Sequence, residues 1–260
     1  MTKSLLVRFW LALVIFAVVC QSAAAAPSIL DSVLAQGVLK VCTSGDYRPF
    51  SYSADGVTFE GGDIDMAQSL AQSLGAKIQW VQTPWKSLTE NVAQRRCDIA
   101  MGGISLTLER QRFATFTQPY LPDGKTAITR CELAPRFDSL EAIDQPGVRA
   151  IVNPGGTNQK FAQTYLKNAT LITFPDNATI FDEIAAGRAD VMITDASEVR
   201  QQVKRHSGLC PVSAKEPFLF GEKAYLVPRD DAVWLEYVNQ WLRIQAANGY
   251  LNQTLKRWVY

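Results

Sequence analysis

Histidine is nearly absent: His206 alone occurs among 260 residues. A multi-histidine metal centre is therefore excluded, and no nucleophile with a histidine base is suggested. His206 lies beside Lys204 and Arg205 in a polar stretch and reads as a surface residue. No glycine-rich loop of the Walker or dinucleotide type is present, so the nucleotide-binding classes fall away and no cofactor is implied. The five cysteines contain no CxxC pair, which argues against a structural zinc site. Neither sign of charge predominates, with 26 Lys and Arg against 25 Asp and Glu, and neither nucleic acid nor an anionic membrane is a suggested partner. Repeats and low-complexity tracts are lacking too. The apolar run Phe9 to Val19 is roughly half of the ~20 residues that span a bilayer.

That run has another meaning. Lys3 and Arg8 precede it and small residues, Ser22 to Ala26, follow it, the order of a secretory signal peptide cleaved near Ala25. Cleavage removes two basic groups and no acid, leaving 24 against 25, in a mature chain of about 235 residues destined for the periplasm without membrane insertion. A chain of this length suits two lobes better than one simple core. Four cysteines remain, Cys42, Cys97, Cys131 and Cys210, in a compartment where disulfides persist. Three pairings are open. The lobe assignment below favours Cys131 with Cys210 and leaves Cys42 with Cys97 as a further option.

Val38 to Cys42 reads as a strand running into the polar loop Thr43 to Phe50, a place where open α/β sheets hold ligands. Met66, Ala67, Leu70, Ala71 and Leu74 keep helical spacing over Ile64 to Leu74, and Gly75 ends that helix. Lys77 to Val81 is the next strand, Trp85 to Gln94 the next helix, and Asp98 to Met101 a third strand opening into Gly102-Gly103. The alternation restarts with strands at Val148 to Val152, Leu171 to Phe174 and Val191 to Thr194, separated by helices Gln159 to Leu166 and Ala178 to Ala186. Such alternation predicts two α/β lobes, each a mostly parallel sheet flanked by helices. Crossing segments are expected near Gln118 to Thr129 and Pro217 to Pro228, dividing the chain into a leader at 1–25, lobe one at 26–128, lobe two at 129–221 and a return at 222–260. The ligand belongs between the lobes.

Within this frame Arg110 is the first candidate, because a planar guanidinium holds a carboxylate through two parallel hydrogen bonds that lysine cannot reproduce. Arg112, two positions on, faces elsewhere on a helix. Gly155-Gly156-Thr157-Asn158 joins a strand to a helix start, where backbone N–H groups favour an anion. Asp195 and Glu198 follow the strand Val191 to Thr194, and helical spacing would put both carboxylates on one face.

The segments Gly61-Gly62-Asp63-Ile64-Asp65-Met66, Gly102-Gly103-Ile104-Ser105-Leu106-Thr107-Leu108-Glu109-Arg110 and Phe116 to Tyr120 together resemble the solute-binding protein family for polar amino acids. The likeness covers the mature chain and implies the two-lobed periplasmic binding-protein fold. It also implies that Arg110 grips a ligand carboxylate with Ser105 and Thr107 as hydroxyl partners, and that Asp195 stands where relatives place an acid for the ligand ammonium. Gly62 departs from the family, which usually has a large apolar residue there.

A closer likeness lies in Thr83-Pro84-Trp85, Asp123-Gly124-Lys125-Thr126, Val152 to Asn158 and Thr194-Asp195-Ala196-Ser197-Glu198, which resemble the periplasmic cyclohexadienyl dehydratases. These enzymes share the binding-protein scaffold and convert prephenate to phenylpyruvate and arogenate to phenylalanine. The resemblance implies Glu198 as general acid, with Trp85 and Lys125 lining the reacting ring. The chemistry suits these residue types: hydroxide is a poor leaving group, and a positioned acid speeds its departure by about 10²–10⁴-fold. A glutamate in a dry cleft near Asp195 would have its pKa raised towards neutrality. The expected site is thus Glu198 and Lys125 for catalysis, with Asp46, Trp85, Ser105, Thr107, Arg110, Gly156, Thr157, Asn158 and Asp195 for binding. The alternative is a transport binding protein in which Asp195 holds an ammonium and nothing reacts. Oligomeric state and substrate preference are not readable from the sequence.

Overall fold

The computed structural model describes residues 27–212 and 216–260. The expected leader lies outside them. The strand Val38–Thr43 is an inner strand of the first lobe's sheet, paired in parallel with Lys77–Gln82 on one side and Ile99–Ala100 on the other. Leu226–Pro228 and Ala114–Phe116 extend the sheet in antiparallel fashion. Val41 and Leu39 are buried in it, as are Met66, Ala67, Leu70 and Ala71 of the helix Gly62–Ser73, so the period expected from the sequence is the packed face of that helix. Gly61 begins it at φ 134°, where a Cβ would stand 2.3 Å from the Phe50 carbonyl oxygen, so only glycine fits. The apolar residue missing at Gly62 is replaced from elsewhere: Trp258 of the C-terminal helix Tyr250–Trp258 fills the space, its Cβ 3.5 Å from where a Cβ of residue 62 would be.

The second sheet has the order Leu209–Pro211, Leu121–Arg130, Val191–Asp195, Arg149–Val152, Thr170–Thr173, with Leu219–Lys223 paired to the other half of the long strand Leu121–Arg130. Both sheets are mixed rather than mostly parallel. Each keeps a parallel set built from strand–helix–strand units, but the segments that carry the chain out of one lobe and back run against that set. The division between sheets also differs from expectation. Residues 121–128 belong to the second sheet, so the crossings are the short stretches 117–120 and 224–225, and a boundary at 128 falls inside a strand. Among the described residues no helix is long and apolar enough to cross a membrane.

Both disulfides form, one per lobe. Cys42–Cys97 ties the strand Val38–Thr43 of the first sheet to the turn before Ile99, with Cα atoms 5.7 Å apart, and Cys131–Cys210 joins neighbouring strand ends in the second, at 4.7 Å. The bridges close loops of 55 and 79 residues, long enough for each to contribute about 2–4 kcal/mol by restricting the unfolded chain. Peptide mapping without reduction is expected to recover these two pairs. Replacing Cys131 and Cys210 together by alanine should lower the urea-unfolding free energy by about that amount, and an unchanged midpoint and slope would show that the bridge contributes nothing.

Candidate active site

The first lobe presents its part of the site from the loop after Ile99–Ala100. Asp63, at the start of the helix Gly62–Ser73, accepts hydrogen bonds from the N–H groups of Gly102 and Gly103 at 2.9 and 2.6 Å, and from the hydroxyls of Tyr120 and Tyr225 at 2.8 and 3.2 Å. Burial pushes its pKa up to about 6 in spite of these four donors. The two tyrosines come from the two crossings, so one carboxylate fixes the glycine loop and both connections. Gly103, at φ 70°, lies against Phe50 so closely that a Cβ would come within 2.4 Å of the ring. Four residues later Thr107 caps the short helix Leu108–Gln111, its Oγ1 accepting from Arg110 N at 3.2 Å. The cap turns the Arg110 side chain into the cleft, where it is only 9 % exposed and its Nη1 donates to the Ser105 carbonyl at 2.8 Å. Burial lowers the Arg110 pKa to about 10, Asp195 opposing, so the guanidinium stays charged at neutral pH. Arg112 is exposed, as expected, and His206 is partly exposed near Asp182.

The second lobe answers with an ion cluster. The strand Val191–Asp195 pairs with Leu121–Arg130 in a register that sets Asp195 opposite Lys125. Asp195 Oδ1 is 2.7 Å from Lys125 Nζ, and Oδ2 is 2.6 Å from Lys223 Nζ and accepts from the Tyr47 hydroxyl at 2.6 Å. Burial would raise the Asp195 pKa, but the two lysines outweigh it and hold the carboxyl well below the ordinary carboxylate range. Lys125, its own pKa lowered by burial against the pull of Asp195, also donates to Thr157 Oγ1 at 3.0 Å and to Asn158 Oδ1.

Glu198 has the opposite environment. It is 0 % exposed, its carboxyl held between the Thr194 hydroxyl and Asn177 Nδ2, the latter at 3.1 Å. Burial, reinforced by the charge of Asp195 and only partly opposed by the Thr194 and Asn177 hydrogen bonds, pushes its pKa up to about 8. It therefore carries its proton at neutral pH. Thr194 also accepts from Asn158 Nδ2 at 2.9 Å, so Glu198 is linked through one hydroxyl to a residue of the cavity wall. On the facing lobe, Trp85 donates its Nε1 to Asp46 Oδ1 at 2.9 Å and meets the edge of Tyr47 with ring centres 5.4 Å apart.

Between the lobes lies a cleft of about 700 Å³, bounded by Trp85, Ser105, Thr107, Arg110, Lys125, Gly156, Thr157 and Asp195 among others. A small inner cavity continues from it, where Asn153 and Asn158 join the wall. The structure thus brings together Trp85, Ser105, Thr107, Arg110, Lys125, Gly156, Thr157, Asn158 and Asp195. Two expected residues are off the walls: Asp46 stands behind Trp85 and steadies its ring, and Glu198 lies behind Thr194. Thr107 uses its hydroxyl for the helix cap. Tyr47, Asn153, Asn177 and Lys223 were not expected. Tyr47 sits in the ligand-side loop that the sequence does mark; Lys223 gives no local signal, lying in a segment that reads only as a connection.

Residues 39–260 match the family described as bacterial extracellular solute-binding proteins, family 3. Among curated proteins, the cyclohexadienyl dehydratase of Pseudomonas aeruginosa is 55% identical over 232 residues, covering 89% of this chain and 86% of that protein. An L-cystine-binding protein of Escherichia coli is 23% identical over 230 residues, 88% of this chain and 85% of its own. Among solved structures, an ancestral amino acid-binding protein described as a precursor of cyclohexadienyl dehydratase superposes with a TM-score of 0.82 at 30% identity, covering 90% of this chain and 100% of that one. An ancestral cyclohexadienyl dehydratase gives 0.56 at 46% identity, with 90% and 97% covered.

The raised Glu198 pKa has a consequence for stability. The folded protein keeps a proton that the unfolded chain gives up near the ordinary value of 4.5, so stability is fully present below that pH and is lost as pH rises through about 8. Asp63 acts in the same direction over a lower range, so the comparison must isolate Glu198. In urea unfolding at pH 5, 6, 7 and 8, wild type should lose stability relative to Glu198→Gln by up to about 1 kcal/mol per pH unit. Parallel curves for the two proteins would show that Glu198 is ionised in the fold.

Proposed function

We propose that this chain, which belongs to family 3 of the bacterial extracellular solute-binding proteins, is an enzyme, a carbon–oxygen lyase of the cyclohexadienyl dehydratase type acting on prephenate and arogenate. The 55% identity to a cyclohexadienyl dehydratase over most of both chains supports the activity. The observation that carries the reading is the pair of carboxylates three residues apart: Asp195 ionised and saturated by lysines, Glu198 buried and protonated. Two titratable groups whose surroundings drive their pKa values apart are what acid catalysis at neutral pH requires.

In this reading a substrate carboxylate lies against Arg110, another anionic group meets Lys125 and the amides at Gly156 and Thr157, and the cyclohexadiene packs on Trp85. The carbon–carbon bond to the ring carboxylate breaks, its electron pair moves through the diene, and the carbon–oxygen bond to the ring hydroxyl breaks. The departing oxygen takes a proton that originates on Glu198 and, because that carboxyl lies behind Thr194 and off the wall, passes by way of the Thr194 hydroxyl, so prephenate yields phenylpyruvate, carbon dioxide and water. No redox partner or cofactor is needed for that balance. Arogenate follows the same course to phenylalanine. The reading includes export to the periplasm, supported by the order of charge, apolar run and small residues at the N-terminus, by the family's description as extracellular, and by the two disulfides.

Mixing purified mature protein with prephenate and following phenylpyruvate is the direct test. A rate no higher than the uncatalysed, acid-sensitive background would leave a binding protein. Within an active enzyme, Arg110→Lys keeps charge but loses the bidentate grip, so KM should rise at least about tenfold while thermal unfolding is unchanged. An unchanged KM would remove Arg110 from the site. Glu198→Gln should lower kcat by about two to four orders of magnitude with much less effect on binding. Wild-type kcat should also decline as pH rises through about 8, where Glu198 loses its proton, and that limb should vanish in the variant. Near wild-type turnover by Glu198→Gln would pass the role of acid to another group.

A further inference from the structure

Asp195-Ala196-Ser197-Glu198 opens the helix Ala196–Arg205 with the spacing of a capping box, an acid at the N-cap and a glutamate three residues on. Both side chains are of the kind that satisfies the free N–H groups of a first turn. Neither does so here. Asp195 makes no side-chain bond to its own helix, because its oxygens are turned to Lys125, Lys223 and Tyr47, and Glu198 is held by Thr194 and Asn177. The turn is also buried, with Ser197 and Glu198 fully enclosed, so solvent is not at hand to replace the cap.

The cap comes from another strand. Asp123 lies on Leu121–Arg130, two residues before Lys125 and therefore on the same side of that strand. The strand Val191–Asp195 ends opposite Lys125, and the helix that follows packs back over the strand it has just left. Asp123 Oδ1 accepts from Ser197 N at 3.1 Å and Oδ2 from Ser197 Oγ at 2.6 Å. The Asp123 side chain is 1 % exposed, lies 3.8 Å from Lys223 Nζ, and lines neither the cleft nor the inner cavity. We propose that Asp123 is a positioning residue: it caps the helix that carries Glu198 in place of that helix's own two carboxylates, leaving Asp195 to the lysines and Glu198 to the Thr194 hydroxyl. Without Asp123, the acceptor that helix geometry offers to the Ser197 N–H is Asp195 at the N-cap. A carboxylate that turns to it leaves the lysines, and Glu198, next in the chain, moves with the turn. The charged groups facing this turn are Asp195, Lys125 and Lys223 besides Asp123 itself; burial raises the Glu198 pKa first, Asp195 adds to it and Lys223 opposes it.

The effect on turnover rests on the dehydratase reading, but the effect on Glu198 itself does not, so two readouts are taken. One is the infrared carbonyl band of a protonated carboxyl at pH 7, assigned to Glu198 by its loss in Glu198→Gln. The other is kcat for prephenate with its pH profile. Asp123→Ala removes the cap: the Glu198 band should be lost and the alkaline limb should move below its wild-type place at about 8. Its kcat should fall at least about tenfold, since a small displacement of a catalytic group costs that much. Asp123→Asn keeps an oxygen for the Ser197 N–H and caps about as well, so band and limb should stay and kcat should remain within about threefold of wild type. An Asp123→Ala protein that is less stable to heat yet keeps band, limb and kcat would reduce Asp123 to an ordinary structural cap and overturn the proposal. Equal losses in both variants would overturn it too, since they follow from the charge and not the cap, as would a wild type without a Glu198 band. If Asp123→Ala does not fold, Ser197→Ala, which strips one of the two bonds to Asp123, should weaken the band and lower kcat at least about threefold, the scale of one cap hydrogen bond; no change in either would overturn the proposal. A wild type that does not turn over prephenate sinks the dehydratase reading and leaves the band to judge Asp123, whereas turnover with an unmoved band and kcat in Asp123→Ala sinks Asp123 alone.

Discussion

Everything in the cleft is arranged around one buried carboxylate. Asp195 collects donors from both lobes, Tyr47 from the first and Lys125 and Lys223 from the second sheet, and so carries charge where solvent cannot support it. Withdrawing water from three charges is costly, and the attraction between them offsets that cost only while every partner is present. The arrangement is therefore a constraint on the whole interface: strand register, the angle between lobes and the position of Tyr47 must agree for the cluster to form. Its field then reaches further. The negative charge on Asp195 adds to the burial that raises the Glu198 pKa, while Lys223 of the same cluster opposes it.

A second buried carboxylate performs the same service for the backbone. Asp63 receives two amide groups from the Gly102-Gly103 loop and two hydroxyls from the crossings, and thereby joins the start of a helix, the ligand-side loop and both connections in one place. The position of Arg110 follows from this anchor through the Thr107 cap and the hydrogen bond from its Nη1 to the Ser105 carbonyl. The guanidinium is accordingly held as firmly as the loop on which it is mounted.

Much of this could be read from the sequence, and the boundary between legible and illegible is physical. Arg110 was legible because its placement is local: a glycine pair ends a strand, a threonine caps a helix, and the arginine follows three residues later. The favoured Cys131–Cys210 pairing was legible because both cysteines fall in the second lobe on either accounting of its edge. Lys223 was not, because its meaning comes from an antiparallel pairing with Leu121 and a bridge to Ser105 across 118 residues of chain. The mixed character of the sheets escaped for the same reason, since strand direction at a crossing is decided by where the chain must return. Asp46 shows a subtler limit. Its loop was correctly marked as facing the ligand side, yet its side chain turns back to hold Trp85, a choice between two nearby polar targets that no spacing encodes.

Asn177 ties the burial of Glu198 to the opposite lobe. Its Nδ2 donates to the Asp46 carbonyl on the first lobe at 3.0 Å and to Glu198 Oε1 on the second at 3.1 Å, so the amide that steadies the acid is itself fixed by the opposite lobe. Gly155 reinforces the same seam, approaching Lys86 so closely that a Cβ would stand 2.8 Å from that residue's Cβ and 2.9 Å from its backbone nitrogen. Contact between the lobes thus adds to the enclosure of Glu198, whose burial raises its pKa. The acid behind Thr194, the asparagine that completes its enclosure and the lysines that pair with the neighbouring aspartate are parts of one hydrogen-bonded seam between the lobes.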